Sequence, residues 1–358
     1  MYQSAKRDRY RAYRGTSPLF YRPMRLTAGM LTYNDQKYLS RCLETLVNSQ
    51  GLGQLGTEWK IVILDNESKN IEYLLETKQQ YPMIDFLLER ENNGFGKGHN
   101  IIMLRFPASF HAVLNNDVLF SPDYLSLLVN SLDANPEFGS ATGKLLWWDY
   151  GGNPERTMII DSTGIGVTKS HAFFDRGQGE IDRGQYDSKK ECFGASGAAA
   201  LYRRSALEEV SYGNGEYFDE TMFMYKEDCD LAERLVAIGK SCLYVPNAIL
   251  WHNRTASTAH PRAKHSERER TGSAAHHGWI IAKHWQWFPW SIRMRILLRE
   301  FLRQTFLLLF EPSIFFRARK ITWGQKKGIL ERRGKTKHLV PFSQVSHFYH
   351  KPSFQSHV

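Results

Sequence analysis

The chain has 358 residues, of which 42% are hydrophobic and 13% aromatic, enough for one large domain or for one domain with an appendage. No run of about 18 uninterrupted apolar residues occurs, and the basic N-terminus lacks an apolar stretch, which argues against a membrane span and a secretory signal. The four cysteines are far apart in the sequence: Cys42, Cys192, Cys229 and Cys242. Their spacing fits neither a zinc site nor a disulfide framework, so a reducing cytoplasm is the simplest context.

The net charge of +10 is concentrated at the two ends of the chain. Residues 1–25 carry a net charge of +6 and residues 317–338 a net charge of +8, so the remainder is mildly acidic. Basic ends of this kind are typical of proteins that contact anionic lipid headgroups or nucleic acid. Each end can equally be interpreted as a solvated tail.

In the first half of the chain, apolar strand-like runs alternate with helix-like segments. We predict strands at residues 25–31, 60–64, 86–88 and 111–114, and helices at residues 37–49, 71–81, 98–106 and 123–135. This alternation predicts a parallel sheet covered by helices on both faces. Three predicted strands end in polar clusters, at residues 32–35, 65–68 and 115–117. Because ligands of such sheets bind beyond the carboxyl ends of the strands, we expect one cleft lined by all three clusters.

The second half is less regular. Residues 147–187 are rich in Gly, Asp and Arg and predict long loops with short strands. Small residues at 193–201 would let the backbone approach another group closely. The predicted elements that follow are a helix at residues 227–238, a strand at residues 242–245 that stops at Pro246, and an apolar run at residues 249–252.

Residues 218–231 place five carboxylates among Phe, Met and Tyr side chains. Apolar neighbours raise the pKa of a carboxylate by desolvation, and adjacent carboxylates raise the pKa of each other. A carboxylate in such a setting is a candidate general base. The alternative is an ordinary helix start, where the helix dipole favours Glu227 and Asp228 in the first turn.

Residues 93–100 form a glycine-rich turn that opens a helix, where backbone N–H groups can hold phosphate oxygens. The glycines match neither G-x-G-x-x-G nor a P-loop, which argues against a dehydrogenase or a P-loop NTPase. Asp65, at a strand end, could accept a hydrogen bond from a base or a ribose, or cap the next helix.

Asp117 follows a buried strand and fits a cation with oxygen ligands, although turns favour Asp in any case. His252 could join Asp117 on a metal or could be a packed histidine. The spacing of five further histidines fits no zinc pattern, so we predict that they lie at the surface or beside an acceptor: His260, His265, His276, His277 and His284.

Residues 296–310 form the segment closest to a membrane helix, but charged residues interrupt it. On a helical wheel its apolar side chains share one face: Leu297, Leu298, Phe301, Leu302, Leu308 and Leu309. The polar side chains share the other face: Arg299, Glu300, Arg303 and Gln304. With Arg-rich flanks, the helix could lie in a membrane interface. It could equally pack on the catalytic domain or on a second subunit.

Seven short motifs follow one another between residues 26 and 254. They are residues 31–34 (Leu-Thr-Tyr-Asn), 62–68 (Val-Ile-Leu-Asp-Asn-Glu-Ser), 92–98 (Asn-Asn-Gly-Phe-Gly-Lys-Gly), 114–117 (Leu-Asn-Asn-Asp), 194–198 (Gly-Ala-Ser-Gly-Ala), 218–228 and 244–252. Together they resemble the family 2 inverting glycosyltransferases, and within them the rhamnosyltransferase-like branch. The resemblance implies an α/β fold of the GT-A type, with a Rossmann-like, mostly parallel sheet flanked by helices and a C-terminal helical extension.

The resemblance also divides the chain. It implies a basic N-terminal arm at residues 1–24 and a catalytic domain at residues 25–255. Within that domain, residues 25–135 would form the nucleotide-sugar half and residues 136–255 the acceptor half. A helical extension at residues 256–316, which could be membrane-interfacial, and a basic tail at residues 317–358 would complete the chain.

The resemblance assigns roles to individual residues. Asp228 would take the proton from the acceptor hydroxyl, with Glu227 as its positioning partner. Asp117 would hold a divalent metal, Mg²⁺ or Mn²⁺, on the donor diphosphate, and His252 would complete the metal site. Asp65 would contact the nucleotide base. The other nucleotide-sugar residues would be Thr32, Tyr33, Asn93, Gly94, Lys97 and Asn116, and the acceptor side would be shaped by Gly194, Ala195, Ser196 and Gly197.

These assignments predict transfer of a sugar, rhamnose from dTDP-rhamnose, to a hydroxyl of a lipid-linked or cell-surface glycan, with inversion at the anomeric carbon. We expect a cytoplasmic enzyme at the inner face of the cytoplasmic membrane, with its basic ends near anionic lipid. One alternative is a nucleotidylyltransferase, which would need a basic glycine-rich loop that residues 32–35 lack. The other is a protein without activity that binds nucleic acid or membrane, and the acidic centre of the chain disfavours nucleic acid.

Overall fold

A computed structural model of the protein describes residues 24–254 and 266–350. It contains a ten-stranded sheet and a second sheet of three strands. The strands are β1 (Met24–Thr32), β2 (Trp59–Asn66), β3 (Asp85–Glu89), β4 (Ala108–Leu114), β5 (Val118–Phe120), β6 (Ser140–Trp148), β7 (Arg156–Ser162), β8 (Ile165–Thr168), β9 (Phe173–Asp175), β10 (Glu191–Cys192), β11 (Ala199–Arg203), β12 (Cys242–His252) and β13 (Tyr349–His350). The helices are α1 (Leu39–Val47), α2 (Glu72–Gln80), α3 (Gly94–Arg105), α4 (Tyr124–Ala134), α5 (Arg204–Val210), α6 (Glu227–Ala237), α7 (Glu267–His284), α8 (Trp290–Phe310), α9 (Pro312–Gly324), α10 (Lys326–Lys335) and α11 (Phe342–Val345).

The large sheet runs in the order β10-β12-β6-β11-β4-β1-β2-β3, with β5 paired to β12 and β7 paired to β6. Strands β4, β1, β2 and β3 are parallel, as the alternation of strands and helices predicts. Strand β11 lies between β4 and β6 and is antiparallel to both. The register of β1 and β2 sets Thr32 opposite Asp65, so the polar ends of these two strands lie side by side.

Successive side chains of a strand point to opposite faces of the sheet. In β1, β2 and β4 the side chains on both faces are mostly buried. On one face, Ile63 belongs to a core cluster with Leu43 of α1 and Leu128 of α4. On the other face, Val62 packs in a cluster with Ile102 of α3. Helices on both sides therefore hold the strands rigidly and leave their carboxyl ends free to build a site.

Helix α3 begins at Gly94 rather than at residue 98. The side chain of Asn92 accepts a hydrogen bond from Gly94 N–H at 2.9 Å, and the carbonyl of Phe223 accepts one from Phe95 N–H at 2.9 Å. These two bonds satisfy N–H groups that a helix start leaves without an intrahelical partner. The first glycines of the turn are therefore part of the helix.

Strand β12 does not stop at Pro246, contrary to the prediction from sequence. Its ladder with β6 shifts register between Val245 and Ile249, and Pro246 lies inside that irregular stretch. Proline is tolerated at such a bulge because no ladder N–H is required there. Strand β6 itself has no counterpart among the predicted strands.

The C-terminal helices pack on α6 and form a second core with it. Trp279 of α7, Ile296 of α8 and Ile329 of α10 share this core with Ala232 and Val236 of α6. The interpretation as a solvated tail is therefore wrong for residues 317–350. Residues 1–23 of the basic N-terminal arm and residues 351–358 lie outside the described residues. In the two ranges that the structure covers, no helix is long and apolar enough to cross a membrane.

Three histidines that we predicted at the surface or beside an acceptor are buried instead: His276, His277 and His284. Burial lowers the pKa of His277 and His284 to about 3, so both are neutral packing residues. The prediction was wrong because α7 is covered by α9 and α10, which the polar composition of its sequence does not indicate. His260 and His265 lie outside the described residues.

Candidate active site

The nucleotide side of the predicted cleft begins at Asp65, at the end of β2. Asp65 is buried, and its Oδ2 accepts a hydrogen bond from Ser68 N–H at 2.9 Å. Its Oδ1 has no hydrogen-bond partner within the described part of the chain. Desolvation by burial raises the pKa of Asp65. A buried carboxylate oxygen without a partner is costly, so this atom is suited to accept a hydrogen bond from a ligand.

Thr32 and Tyr33 differ in how they meet this site. The hydroxyl of Thr32 is buried and hydrogen-bonds the hydroxyl of Tyr73 at 3.1 Å, so it holds α2 against β1. The side chain of Tyr33 is 49% exposed and stands free at the strand end. Asn34 bridges the two strand ends, since its N–H donates to Ser68 Oγ at 2.7 Å. Of the predicted pair, Tyr33 is the side chain that a ligand could reach.

The glycine-rich turn packs tightly against the segment that precedes α6. Asn93 N–H donates to the side chain of Asn66 at 3.0 Å. A Cβ atom added to Gly94, which has a φ of +72°, would lie 2.0 Å from the carbonyl oxygen of Phe223. Lys97 pairs with Glu91 at 3.2 Å. The glycine is thus explained by close packing of two backbones, and the phosphate-binding role of Asn93, Gly94 and Lys97 stays a prediction.

Asp117 and His252 are brought together as the sequence predicts. Strand β5 pairs with β12, and this places His252 opposite Val118, the residue after Asp117. His252 Nε2 lies 3.3 Å from Asp117 Oδ1, and His252 Nδ1 lies 2.9 Å from Asp161 Oδ2. Burial opposes a charge on His252, but the carboxylates of Asp117 and Asp161 outweigh it and raise the pKa of His252 to about 10.

Sequence reasoning missed the support behind this pair. Asp161, which is fully buried, hydrogen-bonds Nδ1 of His252 through one oxygen and forms an ion pair with Arg254 through the other, with Arg254 Nε 2.8 Å away. Arg254 also pairs with Asp175 at 2.9 Å. The available signals were an isolated Asp after the apolar run of β7 and an Arg two residues beyond His252. Neither is distinctive alone, because only the fold brings them together.

Asn116 and Asp35 complete this edge of the site. The side chain of Asn116 lies near Asp35, which belongs to the polar cluster after β1, and it favours the charged form of that carboxyl. Burial, and then the negative charge of Asp117, raise the pKa of Asp35. The ends of β1 and β4 therefore place two carboxylates near each other, which is a setting that a cation would stabilise.

Asp228 is the second residue of α6, and the two residues that precede this helix lie in the left-handed region. Tyr225 and Lys226 both have a φ of +74°, which is rare for residues with side chains and is often found at functional sites. Asp228 Oδ2 accepts a hydrogen bond from Gly197 N–H at 3.3 Å, and Oδ1 accepts one from Cys229 N–H at 2.7 Å. Two backbone donors therefore fix the plane of this carboxylate.

Glu227 is the carboxylate of the acidic motif whose pKa is raised. It is buried, and its Oε2 has no hydrogen-bond partner among the residues that the structure describes. Burial first, and the charge of Asp228 second, raise the pKa of Glu227 to about 8. Glu227 is therefore mostly protonated at neutral pH.

The loop of small residues holds α6 close to the sheet. A Cβ atom added to Gly194 would lie 2.4 Å from Cβ of Ala232, so this glycine permits close packing with α6. Ala195 and Ser196 are buried, and Gly197 carries the N–H that meets Asp228. The carbonyl of the next residue accepts from the N–H of Asn115 at 2.9 Å. This bond joins the loop to the end of β4, so Asp117 and Asp228 lie at one edge of the sheet.

A buried ion cluster lies behind the acidic motif and accounts for two of its carboxylates. Lys283 of α7 pairs with Asp219 at 2.8 Å and also with Asp230. Arg332 of α10 pairs with Asp219 at 2.7 Å. Burial opposes ionisation of Asp219, but Lys283 and Arg332 outweigh it and lower its pKa. Asp219 and Asp230 are therefore structural, and Glu220 accepts a hydrogen bond from Asn100 at 3.1 Å, which leaves Glu227 and Asp228 as the candidates for the site.

Comparison with solved structures shows the fold. The S. aureus TarS structure of residues 1–349 superposes with a TM-score of 0.51 at 16% sequence identity, over 87% of this chain and 90% of that one. GalNAc-T7 in complex with UDP, GalNAc and Mn²⁺ superposes with a TM-score of 0.52 at 12% identity, over 76% of this chain and 54% of that one. The predicted GT-A fold, with its mostly parallel central sheet flanked by helices, is confirmed.

Sequence comparison is more specific. The chain is 36% identical over 115 residues to the N-acetylglucosaminyl-diphospho-decaprenol L-rhamnosyltransferase of two Mycobacterium tuberculosis strains, CDC 1551 and H37Rv. That match spans 30% of this chain and about a third of the length of those relatives (34%). The family model for glycosyl transferase family 2 matches residues 27–211, just over half of the chain. Asp228 and His252 lie beyond that matched range, but the same fold positions them. The chain belongs to glycosyl transferase family 2.

Proposed function

We propose that this glycosyltransferase moves rhamnose from dTDP-rhamnose to a hydroxyl of a lipid-linked or cell-surface glycan, with inversion at the anomeric carbon. The single observation that carries the proposal is the placement of two functional groups at one sheet edge. One is the Asp117–His252 pair, and the other is the Asp228 carboxylate held by Gly197. The first is suited to a diphosphate-bound cation and the second to an acceptor hydroxyl.

In the proposed reaction Asp228 acts as the general base. The acceptor oxygen attacks the anomeric carbon as its proton passes to the carboxylate of Asp228. The bond between that carbon and the diphosphate oxygen breaks on the opposite face of the sugar, so the configuration inverts and the nucleoside diphosphate leaves. Glu227, with its pKa of about 8, keeps its own proton at neutral pH and is therefore not assigned as the base.

Asp117 and His252 would hold the divalent metal. Within residues 24–254 and 266–350 no three His, Cys, Asp or Glu side chains form a group that could hold a metal alone. The carboxylate of Asp117 suits Mg²⁺ or Mn²⁺, which commonly completes its shell with phosphate oxygens and water, and the imidazole of His252 could become a ligand only after losing its proton. A bound metal would supply Lewis-acid stabilisation of the leaving diphosphate. Asp161, bonded to the other nitrogen, would orient His252 once its proton is lost.

The donor would bind between the ends of β1 and β2. The free Oδ1 of Asp65 could accept a hydrogen bond from the nucleotide base, and Tyr33 is exposed beside it. The choice of rhamnose is supported by the 36% identity to the mycobacterial rhamnosyltransferases, which are named for a decaprenol-linked sugar acceptor. An acceptor of that kind would place the enzyme at the inner face of the cytoplasmic membrane, where it would serve cell-envelope polysaccharide synthesis.

A thermal-shift panel tests the proposal. UDP, dTDP, GDP, ADP and CDP are each added with Mn²⁺, Mg²⁺ or EDTA, because a ligand that binds the native state raises the melting temperature. We expect a metal-dependent shift with dTDP that is larger than with the other four, followed by transfer of rhamnose from dTDP-rhamnose. A larger shift with another nucleotide would overturn the donor. The absence of any shift in a folded sample would overturn the proposed nucleotide-sugar site.

A further inference from the structure

Helix α8 has its charged face turned towards the protein and its apolar face turned outward. Arg299 contacts Nε2 of His277 at 2.9 Å, and Arg303 donates a hydrogen bond to the carbonyl of Ala274 at 3.3 Å. Ile292 and Ile296 are buried on the same side. The orientation of α8 is thus fixed by specific polar contacts with α7.

Six large apolar side chains form the opposite side, which we name the outer face of α8: Leu297, Leu298, Phe301, Leu302, Leu308 and Leu309. Their exposed fractions lie between 45% and 69%. They recur at the three- and four-residue spacing of one helix face and extend from residue 297 to residue 309, about 18 Å along the 21-residue helix. A contiguous apolar surface of this size marks an interaction site, whereas isolated exposed apolar residues need no explanation.

Exposed cations accompany the outer face, and α9, the next helix, contacts α8. Arg295 on α8, and Arg319 and Lys320 on α9, are exposed. Trp290 at the start of α8 and Trp323 near the end of α9 are 71% and 77% exposed. Tryptophan is enriched at membrane–water interfaces, and cations there pair with anionic headgroups.

The acids of these two helices do not balance these cations. Glu300 is held by Arg299 and Arg303, and the neighbouring Glu311 is held by Arg270 at 2.9 Å. A second copy of the chain docked symmetrically on this face would bring the same cations together, because a two-fold interface is self-complementary. An anionic lipid surface instead supplies both the apolar phase and the opposite charge.

We propose that the outer face of α8 docks on an anionic bilayer, with the helix lying in the plane of the interface. The inference deepens the proposed function, and its biological purpose rests on it, because an acceptor carried on a lipid must be met at the membrane surface. The binding itself needs neither donor nor acceptor.

The test is co-sedimentation of the full chain with vesicles of phosphatidylcholine alone or mixed with phosphatidylglycerol. The variant is Leu298→Ser/Phe301→Ser/Leu309→Ser, and its matched control is Met83→Ser/Met158→Ser/Ile181→Ser, which removes exposed apolar residues elsewhere. We expect binding to the anionic vesicles that the outer-face variant loses by more than about tenfold. The control should stay within about twofold of the unmodified protein.

A charge series separates the electrostatic part. Arg295→Gln/Arg319→Gln/Lys320→Gln should weaken binding at low salt, whereas Lys78→Gln/Arg183→Gln/Lys190→Gln, at exposed positions elsewhere, should not. Equal binding of the outer-face variant and the unmodified protein would overturn the proposal. So would a dimer in solution that this variant converts to a monomer, in the absence of vesicle binding.

The outcome is separable from that of the proposed function. Nucleotide-dependent thermal shifts of the outer-face variant should match those of the unmodified protein, since α8 contributes no residue to the candidate active site. Vesicle binding without any nucleotide shift would leave the docking surface standing and remove the donor site. A nucleotide-dependent thermal shift without vesicle binding would leave the donor site standing and overturn the docking surface.

Discussion

The backbone N–H of Gly197 donates a hydrogen bond to Oδ2 of Asp228, with the two atoms 3.3 Å apart. A Cβ atom added to Gly197 would lie 3.1 Å from the same oxygen, so a larger residue would crowd the carboxylate. The small residue and the acid are therefore parts of one arrangement. It joins the loop before β11 to the first turn of α6.

This arrangement makes Asp228→Asn a sharp test of the base. The change keeps the size of the side chain and removes its basicity, so we expect turnover to fall by roughly 10²–10⁴-fold. Steady-state transfer assays would measure it. Nucleotide-dependent thermal shifts serve as the control and should change little, because Asp228 lies on the acceptor side. Near-normal turnover would exclude Asp228 as the base.

The raised pKa of Glu227 predicts that the stability of the protein depends on pH. Its pKa is raised from 4.5 to about 8 in the folded protein, so the folded state binds more protons than the unfolded state between these values. Its contribution to stability is fully present below about pH 4.5 and is lost as the pH rises towards 8. Glu227→Gln removes the titrating group. We therefore expect the difference in unfolding free energy, unmodified protein minus variant, to fall as the pH rises from about 4.5 to about 8. Denaturant unfolding at several pH values would measure the difference.

The exposed Glu76 provides the matched control for Glu227. For Glu76→Gln the same difference should be flat across the pH window. A flat difference for Glu227→Gln as well would show that the carboxyl of Glu227 titrates at its ordinary pKa.

Asp117→Asn is expected to remove the metal dependence of nucleotide binding. An amide is a weaker ligand for Mg²⁺ or Mn²⁺ than a carboxylate, and the substitution also removes one of the two charges that face His252. The thermal shift with nucleotide should become the same in metal and in EDTA. Asp123→Asn, at an exposed site on the same segment, should keep the metal-dependent shift. A metal-dependent shift that survives Asp117→Asn would place the metal elsewhere.

The close approach of Gly194 and Ala232 predicts that substitutions at these two positions have coupled effects on the free energy of unfolding. Gly194→Ala would force two Cβ atoms to 2.4 Å, and overpacking of this kind costs about 1–3 kcal/mol of unfolding free energy. Ala232→Gly should recover much of that loss in the double variant, beyond its own cost of about 1 kcal/mol in a helix interior. Unfolding free energies of the four proteins would give the coupling. As a control, Gly278→Ala meets nothing within 4 Å on α7 and should stabilise the protein by roughly 0.5–1 kcal/mol.

The sequence predicted the parallel half of the sheet well, because β1, β2 and β4 are continuous apolar runs that end in polar clusters. The family resemblance also paired Asp117 with His252, which the structure places 3.3 Å apart, and their metal-binding role stays a prediction. Prediction from sequence failed where contacts between distant segments determine the local structure. The start of α3 depends on Asn92 and on Phe223, which is distant in the sequence. Asp161 contacts His252 only because the fold brings β7 next to the end of β12.

The acidic motif shows the same division. Desolvation does raise a carboxylate pKa there, as the apolar neighbours predict, but the group is Glu227. Asp219 and Asp230 are neutralised by Lys283, a residue of a helix that composition alone suggested to be polar and exposed. Family membership also favours sugar transfer over the nucleotidylyltransferase and nucleic-acid-binding alternatives.

The cluster around Lys283 means that the chain cannot be shortened directly after the proposed site residues without loss of stability. A protein that ended at Arg254 would keep every residue assigned to donor, metal and base, yet Asp219 would be left without Lys283 and Arg332. A buried carboxylate that has lost its counter-ions is strongly destabilising. The C-terminal helices therefore have two roles: α7 and α10 supply the counter-ions of the acidic motif, and α8, which packs with them in the same core, carries the outer face.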